Sequence, residues 1–228
     1  MQYSTVTFDV KPLCEEKEEE ISVKYTDVAW YFYGTLFDTY PNLVRAFKEA
    51  LEHYGYTADE NEIRQKMSIT IRHAVTFYCE QHGLDPVEFR ALHKMIEGFR
   101  PDLVPMYPGV KETLKAIKES GRRNHLYTNR NKGAVRYLQA YDLLQYFDGL
   151  MTEEEMCEMK PAPGGMIALC KKYQVKPEQM LMVGDRAVDI DSAKNAGAAA
   201  CFFNTNGIEV PDGTDFEIEK LQDLLKYI

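Results

Sequence analysis

The sequence VAWYFYGTLFDT, residues 28–39, decides the fold of this 228-residue chain. Its first half is a short apolar and aromatic run, which Gly34 and Thr35 follow directly. A run of this length that ends at a glycine is typical of a buried strand. The stretch also raises a chemical question, because Tyr31 and Tyr33 stand where the strand reaches its carboxyl end.

Helical periodicity dominates the next region, from residue 40 to about residue 99. One segment has Pro41 near its start and Gly55 at its end, which are common positions for these residues in helices. Another segment begins with Asp85 and Pro86. We therefore predict a helical region with few strands. Its predicted helices are residues 41–55, 67–83 and 85–99.

Strands and helices alternate after residue 105. This alternation is typical of a doubly wound, mostly parallel sheet, so we predict an α/β fold. Ligands of such sheets bind at the carboxyl ends of the strands. The predicted strands are residues 123–128, 148–152, 179–185 and 198–203, and the predicted helices are residues 110–121, 132–147, 163–174, 187–197 and 219–227.

The polar residues near these strand ends are suited to holding a phosphate group. Thr128 and Asn129 end one strand, and a hydroxyl beside backbone N–H groups can bind a phosphoryl oxygen. Lys160 lies in a later loop and can neutralise a phosphate as a point charge. Asp185 and Asp189 follow another strand, and paired carboxylates can bind Mg²⁺, which takes oxygen ligands.

The order and spacing of these motifs resemble the haloacid dehalogenase (HAD) superfamily, in particular its phosphoglycolate-phosphatase-like branch. The resemblance covers about residues 25–228 and rests on four motifs in order, with a helical insertion after the first. It implies a Rossmann-like HAD core with an inserted α-helical cap. The implied parts are an N-terminal extension (1–26), the core (27–38 and 105–228) and the cap (39–104).

In that family the first motif carries two aspartates. The first attacks phosphorus, forming an aspartyl-phosphate, and also binds Mg²⁺, and the second is a general acid/base whose carbonyl also binds the metal. Alignment on Gly34 places the nucleophile at Tyr31 and the acid/base at Tyr33, so both carboxylates are lost. Within this first motif, only the backbone carbonyl of Tyr33 still matches a metal ligand of the family.

The other three motifs match the family pattern. The resemblance assigns Thr128, with its neighbour Asn129, and Lys160 to phosphate binding. It assigns Asp185 to the metal and Asp189 to its outer shell. The implied cofactor is Mg²⁺, with binding weakened because Asp185 is the only strong carboxylate left in the first shell.

A phenol is a poor substitute for the missing nucleophile. With an unperturbed pKa of about 10, a tyrosine stays protonated at neutral pH, and it would need a lowered pKa to attack. We expect the Tyr31 ring to occupy the space of the phosphoryl group. Asp9 could substitute only if residues 6–10 replaced the central strand, and we interpret that segment as an edge strand or dimer arm instead.

The sequence therefore leaves more than one function open. The main hypothesis is a degenerate phosphatase that retains a phosphate/Mg-type pocket and binds a ligand or a partner. The alternative is an active Mg²⁺-dependent phosphatase acting on a small phosphoester through an unexpected nucleophile or a directly attacking water. Haloacid dehalogenase activity rests on the match from Tyr33 to Asp38, and the same missing nucleophile opposes it.

The composition limits the classes of binding partner and the cellular compartment that we expect for this chain. With 27 basic and 36 acidic residues the net charge is −9, which argues against nucleic acid, whose binding requires cationic contacts. The five cysteines contain no C-x-x-C and favour reduced thiols. We find no signal peptide and no membrane-spanning run, so we predict a cytoplasmic protein. A small phosphorylated metabolite or anion is the expected partner, and the sequence predicts no oligomeric state.

Overall fold

A six-stranded sheet forms the centre of the protein. The strands are β1 (Asp27–Trp30), β2 (Arg123–Tyr127), β3 (Gly149–Met151), β4 (Met180–Gly184), β5 (Ala199–Phe203) and β6 (Phe216–Ile218). This computed structural model describes residues 24–205 and 207–228. The strand order is β3-β2-β1-β4-β5-β6, and all neighbouring strands are parallel. The predicted α/β fold is therefore confirmed.

Helices cover both faces of the sheet. Because successive strand residues point to opposite faces, Val28 and Trp30 belong to one apolar core and Ala29 to the other. Trp30 is fully buried, and its indole N–H donates to Asn124 Oδ1 at 2.9 Å. The helices are α5 (Val110–Glu119) and α6 (Gly133–Ala140) on the first face, and α7 (Gly164–Tyr173) and α8 (Ala187–Asn195) on the second.

Four helices between β1 and β2 form a helical insert with its own apolar core. Phe47 and Phe89 are fully buried in it, with ring centroids 4.8 Å apart. Asp59 and Asp85 each cap a helix by accepting two backbone N–H bonds. The insert lies within the segment assigned to the cap, and the cap role and its boundaries stay predictions. The helices are α1 (Tyr40–His53), α2 (Glu60–Ile69), α3 (Ile71–His82) and α4 (Pro86–Glu97).

β1 is the strand that positions the site, because it lies between β2 and β4. Trp30 is in register with Leu126 of β2 and Val183 of β4, and the Tyr31 N–H donates to the Val183 carbonyl at 2.9 Å. The chain runs outward along the sheet from β1 to β3 and then returns to the other side at β4. A crevice at the carboxyl ends of strands where the order reverses is the usual ligand site of this architecture.

Several helix boundaries differ from the predictions. The predicted helix 67–83 is the end of α2 and all of α3, because Thr70 has an extended backbone and accepts the His73 N–H. The predicted helix 132–147 ends at Ala140, and Asp142 has a φ of 55°. The C-terminal helix is the short 3₁₀ segment Leu221–Lys226, and β6 was not predicted, because three residues carry no periodicity.

The N-terminal extension is described only from residue 24 onward. The predictions for residues 6–10, for Asp9 and for the acidic run 15–20 lie outside the described residues. Thr26 already pairs beside the sheet, because its N–H donates to the Gln179 carbonyl and its carbonyl accepts from the Arg123 N–H, both at 3.0 Å. Among residues 24–205 and 207–228, no helix has the length and hydropathy needed to cross a bilayer.

Candidate active site

The predicted site residues lie together at the carboxyl end of the sheet. Tyr31 follows β1, Thr128 follows β2 and Asp185 follows β4. Lys160 comes from the loop before α7, and its Nζ lies 2.7 Å from Asp189 Oδ1 in α8. The parallel sheet thus brings residues from distant parts of the chain into one buried cluster.

Tyr31 fills the end of the central strand. It is only 6% exposed, and Lys160 Nζ lies 4.4 Å from its ring centroid, within the range of a cation–π interaction. Burial raises the pKa of Tyr31 to about 12, although the nearby charge of Arg186 acts in the opposite direction. A tyrosine nucleophile needs a lowered pKa, so this environment opposes that role.

Tyr33 connects the strand end to the helical insert. Its ring packs against all three apolar cores, and the Arg130 guanidinium carbon lies 4.1 Å from the ring centroid. The Tyr33 hydroxyl donates to Glu97 Oε1 of α4 at 3.4 Å, and Arg130 Nη2 lies 3.6 Å from the same oxygen. Burial raises the pKa of Tyr33, so its phenol is also neutral.

The ammonium group of Lys160 is buried and already has partners. It donates to the Tyr127 carbonyl at 3.0 Å and to Asp189 Oδ1 at 2.7 Å. It also lies between two aromatic rings, 4.4 Å from the centroid of Tyr31 and 4.2 Å from that of Tyr127. Burial lowers the pKa of Lys160, and the charge of Asp189 opposes that effect.

Thr128 and Asn129 both bond to nearby backbone groups. Thr128 is fully buried, and its Oγ1 accepts the Arg130 N–H at 3.2 Å. Asn129 Oδ1 accepts the Lys160 N–H at 3.1 Å, and Asn129 Nδ2 donates to the Lys160 carbonyl at 3.4 Å. Asn129 therefore fixes the loop that carries Lys160, and the phosphate-binding role of Thr128 and Asn129 stays a prediction.

Asp185 and Asp189 form the acidic part of the cluster. Asp185 Oδ1 accepts the Thr35 hydroxyl at 2.9 Å, whereas the buried Asp189 Oδ2 has no hydrogen-bond partner among the described residues. Burial, and then the charge of Asp189, raises the pKa of Asp185 to about 7. Gly34 has a φ of 77° and lies so close that a Cβ there would collide with the Asp185 carboxylate, so glycine is required.

This donor set does not fit a tight magnesium centre. Mg²⁺ demands a near-octahedral set of oxygen ligands, and the Tyr31 phenol is neutral. Lys160 donates a hydrogen bond to one carboxylate oxygen of Asp189, Oδ1. Within the described part of the chain, no three His, Cys, Asp or Glu side chains cluster in a way that could hold a metal ion. The unpartnered Asp189 Oδ2 is the feature of this cluster that favours a cation.

Little free space lies between the rings of Tyr31, Tyr33 and Tyr40. A cavity of about 20 Å³ remains, bordered by Tyr31, Tyr33, Tyr40 and Arg186 among others. A space of that size holds about one water molecule, which is smaller than a phosphoryl group. Arg186 Nη2 also donates to the Met67 carbonyl at 3.4 Å, and this hydrogen bond links the end of β4 to α2 beside the cavity.

Three charged residues of this region were not predicted. Arg130 and Arg186 directly follow Asn129 and Asp185, and their positions just after two strand ends could have indicated them. Glu97 carries no comparable signal, because it belongs to a helix whose placement against the strand end depends on tertiary packing. The packing of the half-buried Arg130 over the Tyr33 ring is likewise a tertiary feature.

A family model described as haloacid dehalogenase-like hydrolase matches residues 28–203. The match begins in β1 and ends with β5, so it includes the helical insert and all the predicted site residues. The resemblance that the sequence motifs suggested is therefore confirmed at the level of the superfamily.

Similar proteins include several phosphoglycolate phosphatases. That of Vibrio parahaemolyticus is 30% identical over 217 residues, which are 88% of this chain and 95% of that protein. That of Vibrio vulnificus strain YJ016 is 33% identical over 184 residues, with coverages of 76% and 81%. The crystal structure of a predicted phosphoglycolate phosphatase from Haemophilus somnus 129PT has a TM-score of 0.79 at 25% identity, covering 90% of this chain and 99% of that chain.

Proposed function

Since the chain belongs to the haloacid dehalogenase-like hydrolase family, we propose that it is a degenerate phosphatase without the nucleophilic aspartate. It keeps the lysine, hydroxyl and acidic positions of a phosphate/Mg-type pocket, and its own tyrosine rings occupy that pocket. The ligand that this pocket would take is a small phosphorylated metabolite or another small anion.

The placement of Tyr31 is the single observation that carries this proposal. Its ring lies against Lys160, at 4.4 Å from Nζ, where the resemblance places the nucleophile. Burial keeps the phenol protonated, with a pKa of about 12. A neutral phenol does not attack phosphorus, and the Tyr31 ring takes up space beside Lys160, whose ammonium group is buried.

The same geometry weakens Mg²⁺ binding. The remaining candidate ligands are the Asp185 carboxylate, the Tyr33 backbone carbonyl and, as an outer partner, Asp189. Asp185 is bonded to Thr35, and Asp189 is bonded to Lys160. Family members of this kind use Mg²⁺ to neutralise charge at the reacting phosphate, and this chain offers that ion an incomplete set of oxygens.

The alternative function is that of an active Mg²⁺-dependent phosphatase on a small phosphoester. Its support is the similarity to phosphoglycolate phosphatases over most of the chain, including the 30% identical Vibrio parahaemolyticus protein. Preorganised charges such as Lys160 and Asp185 stabilise a transition state even without a covalent intermediate. This alternative requires Tyr31 to move and a water molecule to attack phosphorus directly.

Phosphate release from an aryl phosphate and from phosphoglycolate, with and without Mg²⁺, separates the two functions. The assay compares the parent with the double variant Tyr31→Asp, Tyr33→Asp. The matched control is Tyr31→Asn, Tyr33→Asp, which removes the same rings and restores the acid/base position but supplies no nucleophile. We expect the parent and the control to be inactive and the double variant to turn over only with Mg²⁺.

Turnover by the parent would contradict the degenerate function. If that activity survives Tyr31→Phe and disappears with Asp185→Asn, the chain is a metal-assisted phosphatase that does not use an aspartyl intermediate. A contaminating enzyme is excluded when Asp185→Asn, purified identically, is inactive. If the parent and the control are inactive and only the double variant turns over, the missing carboxylate at position 31 is what separates the scaffold from an active phosphatase.

A further inference from the structure

We propose that Tyr33, Glu97 and Arg130 form a latch that holds the helical insert against the sheet without any ligand. Glu97 is the last residue of α4, so it belongs to the insert. Tyr33 follows β1 and Arg130 follows β2, so both belong to the sheet. Because the insert has an apolar core of its own, these three side chains link two separately packed parts of the chain.

The three side chains of the latch contact one another. The Tyr33 hydroxyl donates to Glu97 Oε1 at 3.4 Å, and Arg130 Nη2 lies 3.6 Å from the same oxygen. The Arg130 guanidinium carbon lies 4.1 Å from the centroid of the Tyr33 ring, within the range of a cation–π interaction. Lifting the insert would therefore break two contacts to Glu97 at once. Glu97 is only 8% exposed, so water screens its attraction to Arg130 weakly.

The Tyr33 ring adds apolar contact to the latch. It packs against the two apolar cores beside the sheet and also against the core of the insert. Lifting the insert would expose this surface to water, which costs free energy in proportion to the apolar area exposed. An ionised aspartate, which the family motif has at this position, would offer no ring and would carry the same charge as Glu97. The latch therefore depends on the tyrosine of this chain.

The latch lies beside a connection between the insert and the sheet. Gly98 directly follows Glu97 and has a φ of 52°, a left-handed conformation that favours glycine. Beyond it, the Tyr141 hydroxyl at the end of α6 donates to the carbonyls of Pro101 and Val104, at 2.8 and 2.9 Å. Since that part of the connection is anchored, Gly98 is where the insert can turn, and hinges commonly lie at such element ends. A contact at Glu97 is therefore well placed to restrain the turn.

Met67 offers a position at which opening of the insert can be detected. It is fully buried in α2 and borders the 20 Å³ cavity at the strand ends. Its carbonyl accepts from Arg186 Nη2 at 3.4 Å, which is another contact between the insert and the sheet. The thiol of a Met67→Cys chain would become reactive when this interface separates. Native Cys79 is 3% exposed in the core of the insert, so its reactivity reports unfolding of the insert instead.

The test measures the rate of thiol modification at positions 67 and 79 by peptide mass spectrometry, in the Met67→Cys chain without phosphate or metal. One latch variant adds Tyr33→Phe, which removes only the hydroxyl. The other adds Glu97→Gln, which removes the shared charge. The first variant keeps the ring and its packing, so it tests the latch even if the second fails to fold.

Each latch variant has a matched control within the insert. Tyr56→Phe is the control for Tyr33→Phe, because the Tyr56 hydroxyl donates to the His82 carbonyl at the same distance, 3.4 Å, but both residues belong to the insert. Glu80→Gln is the control for Glu97→Gln, because it removes a carboxylate from an exposed position of α3.

We expect Tyr33→Phe to raise the modification rate at position 67 about threefold, which is the size of one neutral hydrogen bond. Glu97→Gln should raise it about tenfold or more, because it weakens the contacts to both Tyr33 and Arg130 and one of them is charged. The controls should change this rate less than about twofold, and the rate at Cys79 should stay the same in all variants.

Three results would overturn the inference. The first is that position 67 of the Met67→Cys chain reacts as fast as the exposed Cys157, which would mean that the insert is not held. The second is that the latch variants react like their controls. The third is that Cys79 accelerates in step with position 67, which would mean that the insert unfolds and does not lift. The inference goes beyond the degenerate phosphatase, and because these rates involve no turnover, they fail or succeed independently of the phosphatase assay.

Discussion

Replacing Tyr31 with aspartate should make the stability of the protein depend on Mg²⁺. The change removes a buried aromatic ring, and comparable losses of large buried side chains cost about 3–5 kcal/mol. The lost contact with Lys160 adds about 0.5–2 kcal/mol, which is typical of cation–π pairs. At about 2–4 °C per kcal/mol for a chain of this size, we expect the melting temperature to fall by roughly 7–28 °C.

The added carboxylate would also complete an acidic cluster. In the Tyr31→Asp variant the new side chain would lie near Asp185, whose pKa is already raised to about 7 by burial and by Asp189. Like charges repel without a counterion, whereas Mg²⁺ would relieve the repulsion and bind the new set of oxygens. At a Mg²⁺ concentration one hundred times its Kd, binding to the native state returns about 2.7 kcal/mol.

Scanning calorimetry over a range of Mg²⁺ concentrations tests this reasoning. The control is Tyr31→Asn, which leaves nearly the same cavity without the charge and should be destabilised but insensitive to Mg²⁺. The parent should also be insensitive. Equal responses of the Asp and Asn variants to Mg²⁺ would refute the argument, and so would a parent that is stabilised as strongly as Tyr31→Asp.

Three further substitutions probe the buried charges. Lys160→Met should cost about 3–5 kcal/mol in urea unfolding, because Asp189 would lose its buried partner, and Lys115→Met on the surface is the control. The pKa of His93 is lowered to about 3, chiefly by burial, so the native state resists protonation of this side chain. The free energy of unfolding should therefore fall below about pH 6.5 by up to about 1.4 kcal/mol per pH unit. His93→Gln should flatten that slope, and an unchanged slope would contradict the lowered pKa of His93. Burial raises the pKa of Asp27, but hydrogen bonds to His125 and Arg123 outweigh burial and lower the pKa overall. The ionised Asp27 therefore stabilises the fold above about pH 4. Asp27→Asn should have a lower free energy of unfolding than the parent at pH 7, and this difference should narrow only in more acidic solution.

The sheet and its order of elements could be predicted because the signals are local. The segment 179–185 contains a short apolar run, both it and the segment 123–128 lie between helical segments, and the structure has strands within both. The helix break at Thr70 was missed because residues 60–69 expose most side chains and bury only Ile63 and Met67, so their periodicity is weak. The short strand β6 forms because Cys201 and Phe203 of β5 present an open edge to it, which is a tertiary effect.

The candidate site could be predicted only as far as its motifs extend. Tyr31, Lys160 and Asp185 follow from strand ends and spacing, and the structure brings all three together. The pairing of Lys160 with Asp189 and with two aromatic rings does not follow from spacing, because a sequence does not give side-chain directions across elements. Glu97 shows most clearly what the sequence does not predict, since it lies 64 positions from Tyr33 and accepts a hydrogen bond from the Tyr33 hydroxyl.

The charges around the strand ends support the proposed degenerate function. Lys160 pairs with the buried Asp189, the charge of Arg186 acts on Asp185, and the tyrosines between these charges are neutral. Two aspartates at positions 31 and 33 would instead add up to two negative charges, and a divalent cation neutralises that amount of charge. In the proposed degenerate phosphatase, Tyr31 and Tyr33 therefore have two effects: their rings fill space beside Lys160, and they lack the negative charge that would hold a metal.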